Sequence, residues 1–281
     1  MGNLRIMSHN VWKCDNNLPA WEANHEDCSA HARTRGMVQV YTETQPDIIG
    51  FQEMSPLMAD EIIRGLAARG LRYALLWGRD TPILYRQERL ELIDSDFLLY
   101  PTEVPGWTGE FNNHGTKSFC LAVFRDKTDG KELIFLSTHL WWMSGETGAA
   151  DYRAGSEEAR AYQLNLAMDR LETYHAEYGC PVMAVGDLNA DYAKPAIQSA
   201  LNRGFAHAHD IATEFADQDW GYHYCFGDGY KPYVKTPFEK AIDHILVKYA
   251  ADDFIRRFER YTPDYYLPLS DHSPVFVDVK L

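Results

Sequence analysis

Apolar residues recur with two periods along this chain, and the alternation between them predicts an α/β protein. Leu4 to Asn10 reads as a strand. Met37, Val38, Val40 and Tyr41 fall near helical spacing and predict a helix over 31–44. The short apolar run after Pro46, residues 47–52, predicts a buried strand. Leu57, Ile62, Ile63 and Leu66 predict a second helix over 56–68, with Gly70 as its cap. The middle of the chain is richer in strand patterns, at 71–77, 81–86, 90–100, 117–125 and 132–140, and Asp129-Gly130 marks a hairpin turn between the last two. Leu164, Ala167, Met168, Leu171, Tyr174 and Tyr178 form the stripe of a long helix over 156–178, which Gly179-Cys180-Pro181 ends. Strands follow at 182–185, 241–247, 254–261 and 274–279. The stretches 12–29, 101–115 and 205–239 hold no clear period. Long ordered loops of this kind either serve a site or cover sheet edges.

At 281 residues the length alone suggests about two domains. No repeat and no Ser/Gly/Pro-rich linker divides the chain, so one domain over 1–281 is expected. Lys plus Arg is 27 against 41 Asp plus Glu, a formal charge of −14. A protein that grips phosphate backbones by broad electrostatics carries the opposite sign, so nucleic acid is a possible partner that the charge does not favour. No run approaches the roughly 20 apolar residues of a spanning helix. No apolar stretch of signal-peptide length follows Met1, so a cytoplasmic location is expected. Cys14, Cys28, Cys120, Cys180 and Cys225 are odd in number and widely spread, which favours thiols over a disulfide framework or a cysteine metal site.

The candidate chemistry lies at strand ends. Asn10 closes the first strand and Glu53 follows the second. His139 closes the strand through Leu133, and Asp187 and Asn189 follow Val182 to Val185. Asp243 opens one late strand, and Asp271-His272 precedes the last. Each has an ordinary reading alone: a first-turn acid, a turn, a core histidine. Together they predict one convergent polar site, because ligands of open α/β sheets gather outside strand ends. His9 alternates away from Asn10 and is expected to be structural. Arg86 and Lys117 could touch phosphate, but as strand-end charges they are expected in solvent.

The blocks Ser8-His9-Asn10-Val11, Pro46 to Glu53, Ser137-Thr138-His139-Leu140, Gly186-Asp187-Leu188-Asn189, Ala241-Ile242-Asp243-His244-Ile245 and Ser270-Asp271-His272-Ser273-Pro274 carry a resemblance. By them the chain resembles the endonuclease/exonuclease/phosphatase superfamily, the group with the DNase I-like fold. The resemblance implies a four-layer α/β/β/α sandwich, two mixed β-sheets packed face to face with helices outside. It implies an Mg²⁺-dependent hydrolase of phosphate esters, with Mn²⁺ as a possible substitute. Glu53 would be the metal ligand, and Asn10 and Asp271 its direct or water-mediated partners. His272 would be the general base, oriented by Asp243. Asp187 would place the attacking water or assist proton transfer, and His139 and Asn189 would donate to the phosphoryl oxygens.

Aromatic residues crowd these positions. Trp12 follows Asn10, Trp141 and Trp142 follow His139, and Trp220 and Tyr222 lie in the long loop before Asp243. All five are candidate substrate contacts through stacking, with loop anchoring as the alternative. Cations near them are scattered, which favours a sugar, inositol or nucleotide phosphate over a long polyanion. An endo- or exonuclease, a sphingomyelinase-like lipid phosphodiesterase and a catalytically silent binding module stay open as alternatives.

Overall fold

The computed structural model describes residues 4–216, 240–266 and 268–281 in full, and through their backbone the short strands at 220–222, 225–226, 229–230 and 234–236. Strand β1 (Leu4–Asn10) leads through a short helix, α1 (Pro19–Ala23), to α2 (Ala30–Thr44). Next come β2 (Ile48–Gln52), α3 (Pro56–Ala67), β3 (Tyr73–Leu76), β4 (Ile83–Arg86), β5 (Leu90–Leu99), β6 (Ser118–Asp126) and β7 (Glu132–His139). The long α4 (Ser156–Tyr178), β8 (Val182–Asp187) and α5 (Pro195–Asn202) follow. The chain continues through β9 (Ala206–His207), α6 (Ala208–Ile211), β10 (Glu214–Phe215), β11 (Trp220–Tyr222), β12 (Cys225–Phe226), β13 (Gly229–Tyr230) and β14 (Val234–Thr236). It ends with β15 (Asp243–Lys248), β16 (Ile255–Arg260) and β17 (Val275–Val279).

Two mixed sheets result, in the orders β10-β16-β17-β1-β2-β4-β3 and β5-β6-β7-β8-β15-β9. Ile6, Ile48, Ala122, Phe135, Val185, Ile245 and Val277 are fully or almost fully buried where the sheets face each other. Each such aliphatic side chain removed from water contributes roughly 1.5–3 kcal/mol, so this interior layer holds the sheets together. Met37, Tyr41, Met58 and Ile62 bury the inner sides of α2 and α3 on one sheet. Leu164, Met168, Leu171, Ile197 and Ala200 do the same for α4 and α5 on the other. This is the four-layer sandwich expected above.

The helix predicted over 156–178 has those bounds, and Gly179, in the left-handed region at φ 69°, closes it by donating to His175 O. Helix α3 ends before the expected Gly70: Ala68 caps it in the right-handed region, donating to Arg64 O, and Gly70, at φ 79°, donates to Ala67 O in the turn beyond. Helix α5 was not predicted, because its eight residues carry too short a stripe to show a period. Two of the three aperiodic stretches, 12–29 and 205–239, hold α1, β9, α6 and β10 to β14, elements of two to five residues that are likewise too short for a pattern. Among the described residues no helix is long and apolar enough to cross a membrane. Cys14, Cys28, Cys120 and Cys180 are buried thiols, and Cys225 lies outside the residues whose side chains are described.

Candidate active site

Strand register builds half of the site. His139 on β7 stands opposite Asp187 on β8, which stands opposite Asp243 on β15. One row across the second sheet therefore carries all three side chains on the same face. Gly186 keeps this row tight, since a Cβ there would lie 1.9 Å from Thr138 O. The first sheet supplies the facing half. Asn10 ends β1 beside its parallel neighbour β2, and Glu53 follows in the left-handed region at φ 59°. Such backbone strain in a non-glycine residue is tolerated where the surroundings enforce it. The loop before β17 brings Asp271 and His272 between the sheets' ends.

The contacts close this into one cluster. Asn10 Nδ2 donates to Glu53 Oε1 at 3.2 Å and to Asp187 Oδ2 at 3.0 Å. The backbone N–H of Lys13 donates to Glu53 Oε2 at 3.2 Å. Asp187 Oδ1 accepts from Asn189 N at 2.9 Å, and its Oδ2 lies 3.4 Å from His139 Nε2 and 3.7 Å from His272 Nε2. His272 Nδ1 sits 2.8 Å from Asp243 Oδ2, which has Arg260 Nη1 behind it at 3.9 Å. Glu53, His139 and Asp187 could hold a metal ion, as could Asp187, Asp243 and His272.

Matches to known proteins agree with this geometry. The chain matches the Endonuclease/Exonuclease/phosphatase family over residues 7–272. It belongs to that family. Among solved structures it resembles an endonuclease/exonuclease/phosphatase from Bacteroides vulgatus at 22% identity and TM-score 0.72, with 100% of each chain covered. It also resembles the mannosyl-6-phosphatase of Bacteroides thetaiotaomicron at 18% identity and TM-score 0.71, over 99% of this chain and 100% of that one. D. rerio TDP2 in complex with a single-strand DNA product shares 16% identity and a TM-score of 0.62, over 99% of each chain. These identities establish a common fold. No curated protein sequence matches the chain.

In this endonuclease/exonuclease/phosphatase family member, the charges within the cluster set each other's proton affinities. Burial opposes the charge on Glu53, but His139, Lys117 and His272 together hold its carboxyl below the usual range. Burial likewise opposes the charges of Asp243 and His272, and their mutual attraction outweighs it. Asp243 lies below its ordinary value and His272 well above, helped by Asp187 and Asp271. Burial pushes Asp271 up to about 6, and the nearby Glu53 and Asp187 add to the shift against the opposing pull of His272. An acid so crowded by carboxylates is a group that a cation would relieve, and the donor set is hard oxygen, so these residues fit a divalent metal.

A stability prediction follows for the metal-free protein. A carboxyl whose folded value is raised from 3.8 to about 6 stabilises the fold below the lower value, and that contribution is lost as pH rises through the upper one. That difference corresponds to on the order of 3 kcal/mol. Asp271→Asn should therefore raise the melting temperature of chelator-treated protein at neutral pH and leave it near wild type at about pH 4. A melting-temperature difference that does not vary with pH would contradict this.

Some sequence expectations change. Lys117 was expected in solvent, but it is 6% exposed, with Nζ 2.6 Å from His139 Nε2. The loop from 112 to 117 folds over the site end of β6, which strand position alone does not reveal. Burial lowers its ammonium's proton affinity, with Glu53, Asp187 and Asp80 pulling the other way. Arg86 turns away from the site toward Asp47, at 3.6 Å. Trp141 is not at the surface as a substrate contact requires. It is 1% exposed, and its Nε1 donates to Ser156 Oγ, because the chain turns inward over Phe111 after β7. Trp12 is half-buried against Trp21, with the Arg33 guanidinium 4.8 Å from its ring centroid. Trp142, three residues beyond His139, keeps an exposed ring. Trp220 and Tyr222 lie outside the residues whose side chains are described.

Asn10 clamps two carboxylates through its amide nitrogen while its Oδ1 accepts from Trp12 N at 3.0 Å. Asn189, at φ 48°, spends Nδ2 on Leu140 O at 3.1 Å. His9 is buried between the hydroxyls of Tyr41 and Tyr266, as its alternation predicted, and the Tyr266 hydroxyl also donates to His272 O. Sequence reasoning missed Asp80, whose Oδ2 lies 3.3 Å from His139 Nδ1, and Arg260 behind Asp243. Asp80 lies within the turn before β4 and Arg260 ends a strand among other arginines, so neither carries a distinct signal. Arg33 was also missed. Its guanidinium donates to the carbonyls of Val11, Trp12, Cys14, Cys28 and Leu269, tying the loop after β1 to the loop that carries His272.

Proposed function

We propose that this chain is a divalent-metal-dependent phosphoesterase that hydrolyses a small phosphate ester such as a sugar, inositol or nucleotide phosphate. The observation that carries this reading is the single cluster of Glu53, Asp187, His139 and the Asp243–His272 pair at the facing ends of two sheets. Glu53 and Asp271, with Asn10 beside them, would hold the ion. When bound it would polarise a phosphoryl oxygen and offset the carboxylates.

The protein's own groups then divide the work. Asp243 holds His272 through Nδ1, so Nε2 is the atom that accepts or returns a proton. With the surrounding negative charge offset, Nε2 becomes a base suited to neutral pH. Asp187 Oδ2 faces the same point and orients the attacking water. The water oxygen bonds to phosphorus, the ester P–O bond breaks with its electron pair on the leaving oxygen, and the water's proton ends there. His139 stands between Asp80 and Lys117 at the edge of the cluster, and Asn189 holds the loop carrying Asp187. The exposed Trp142 ring offers a stacking face for the remainder of the substrate. The net charge of −14 supports a small substrate over a nucleic-acid backbone.

Phosphate release from a panel of sugar and nucleotide phosphates, run beside Mg²⁺-dependent nicking of supercoiled plasmid, tests the reading. Release without nicking is expected. Nicking by wild type but not by Asp187→Asn would make the protein a nuclease, and neither activity in a folded preparation would leave the lipid phosphodiesterase and the silent binding module. Glu53→Gln removes a charge but not the shape, and should raise the half-saturating Mg²⁺ concentration by about tenfold or more. An unchanged Mg²⁺ titration would remove Glu53 from the ligand set.

A further inference from the structure

We propose that Lys117 is a direct contact for a terminal phosphoryl oxygen, and that it makes this a site for phosphomonoesters over phosphodiesters. The proposal rests on the reading of the site as a phosphoesterase centre and names its substrate class. Lys117 begins at the turn into β6, and its backbone is held from both sides by one buried amide. Asn112 Oδ1 accepts from Lys117 N at 2.9 Å, and Asn112 Nδ2 donates to Lys117 O at 2.8 Å. The next residue is also fixed, with Ser118 Oγ 3.0 Å from Thr81 Oγ1. The side chain is thus aimed inward by its surroundings.

What it meets there is unusual. Among the described residues no carboxylate pairs with its ammonium at ion-pair distance, and its side-chain partner is His139 Nε2 at 2.6 Å. His139 Nδ1 faces Asp80 Oδ2 at 3.3 Å, so with the Nδ1 proton directed there, Nε2 accepts from Lys117. That uses one of three ammonium protons and leaves two for an incoming oxygen. A buried ammonium without a paired carboxylate is costly, and an arriving anion supplies what is missing.

Two features favour the monoester. A monoester dianion carries more charge on its terminal oxygens than a diester, and a buried cation beside the metal-binding carboxylates rewards that difference. This end of the site is also closed. Lys117, His139 and Asp80 are 6%, 1% and 5% exposed. A terminal phosphoryl group can enter there with its single ester arm left toward solvent, whereas a diester must place a second arm as well.

The test is binding of inorganic phosphate and of dimethyl phosphate by calorimetry in magnesium-containing buffer, with wild type and Lys117→Met, whose fold is checked by circular dichroism. Wild type should prefer phosphate by at least about tenfold. Lys117→Met should weaken phosphate binding about ten- to hundredfold and largely abolish that preference. Unchanged phosphate binding in a folded variant overturns the proposal. Wild type that binds dimethyl phosphate as well as phosphate, or binds no phosphate, overturns it too, and those results need no variant. Hydrolysis of p-nitrophenyl phosphate and bis-p-nitrophenyl phosphate by wild type is followed in parallel. If neither ester is hydrolysed while phosphate binding depends on Lys117, the esterase reading falls and the Lys117 contact stands.

Discussion

His272→Ala is expected to lower kcat by about 10²–10⁴-fold in a protein that still folds, the range for losing a positioned acid–base group. Only the imidazole connects Asp243, at 2.8 Å from Nδ1, to the point that Asp187 faces from the other side. Alanine removes that connection. The backbone around it is held independently of the ring, by Ser270 Oγ accepting from His272 N at 3.1 Å and by the Tyr266 hydroxyl donating to His272 O. Ser270 in turn donates to Asn10 O at 2.7 Å, so the loop stays seated on β1. Asp243 is not left as an isolated buried charge, because Arg260 Nη1 lies 3.9 Å away and Arg260 Nη2 donates to its carbonyl at 2.9 Å. Thermal melting and steady-state kinetics on p-nitrophenyl phosphate check both halves of the statement. A folded variant with wild-type kcat would end the assignment of His272 to proton transfer.

Asp187→Asn is expected to cost about 10²-fold or more in kcat. Asn10, His139 and His272 all converge on its Oδ2, at 3.0, 3.4 and 3.7 Å. The amide cannot serve both oxygen positions. Turned to accept from Asn10, it presents its nitrogen to the Asn189 N–H, where Oδ1 now accepts at 2.9 Å. The loss of charge has its own signature. Asp187 is one of the carboxylates that hold the His272 proton, so its removal lowers the value at which His272 titrates. The limb of the kcat/KM profile that reports His272 should therefore move to lower pH in Asp187→Asn. A reduced kcat with that limb unmoved would point to lost water positioning alone, and an unchanged kcat would remove Asp187 from the mechanism.

Local chemistry along the chain determined a good deal by itself. Strand and helix periods placed β1, β2, α2, α3 and α4 within a residue or two, because each buries a face long enough to show its repeat. The polar residues at strand ends were visible for the same reason: a strand's pattern breaks where its polar terminal residue begins. Asn10, Glu53, His139, Asp187, Asp243 and His272 were therefore nameable before any coordinates.

What the sequence could not hold is the depth of each position, since depth depends on which loop folds over which strand end. That decided Lys117, which looks like any strand-end cation until Asn112 locks its backbone and the strand row buries it beside His139. It decided Trp141 the other way, drawing a ring that follows His139 into the core while leaving Trp142 exposed. It also brought in Asp80 and Arg260, which stand far from the other site residues in sequence and reach them only through the packing of one sheet on the other. Periodicity reports one element against its nearest layer. The charge balance of the site depends on several elements at once, and only the tertiary structure sets it.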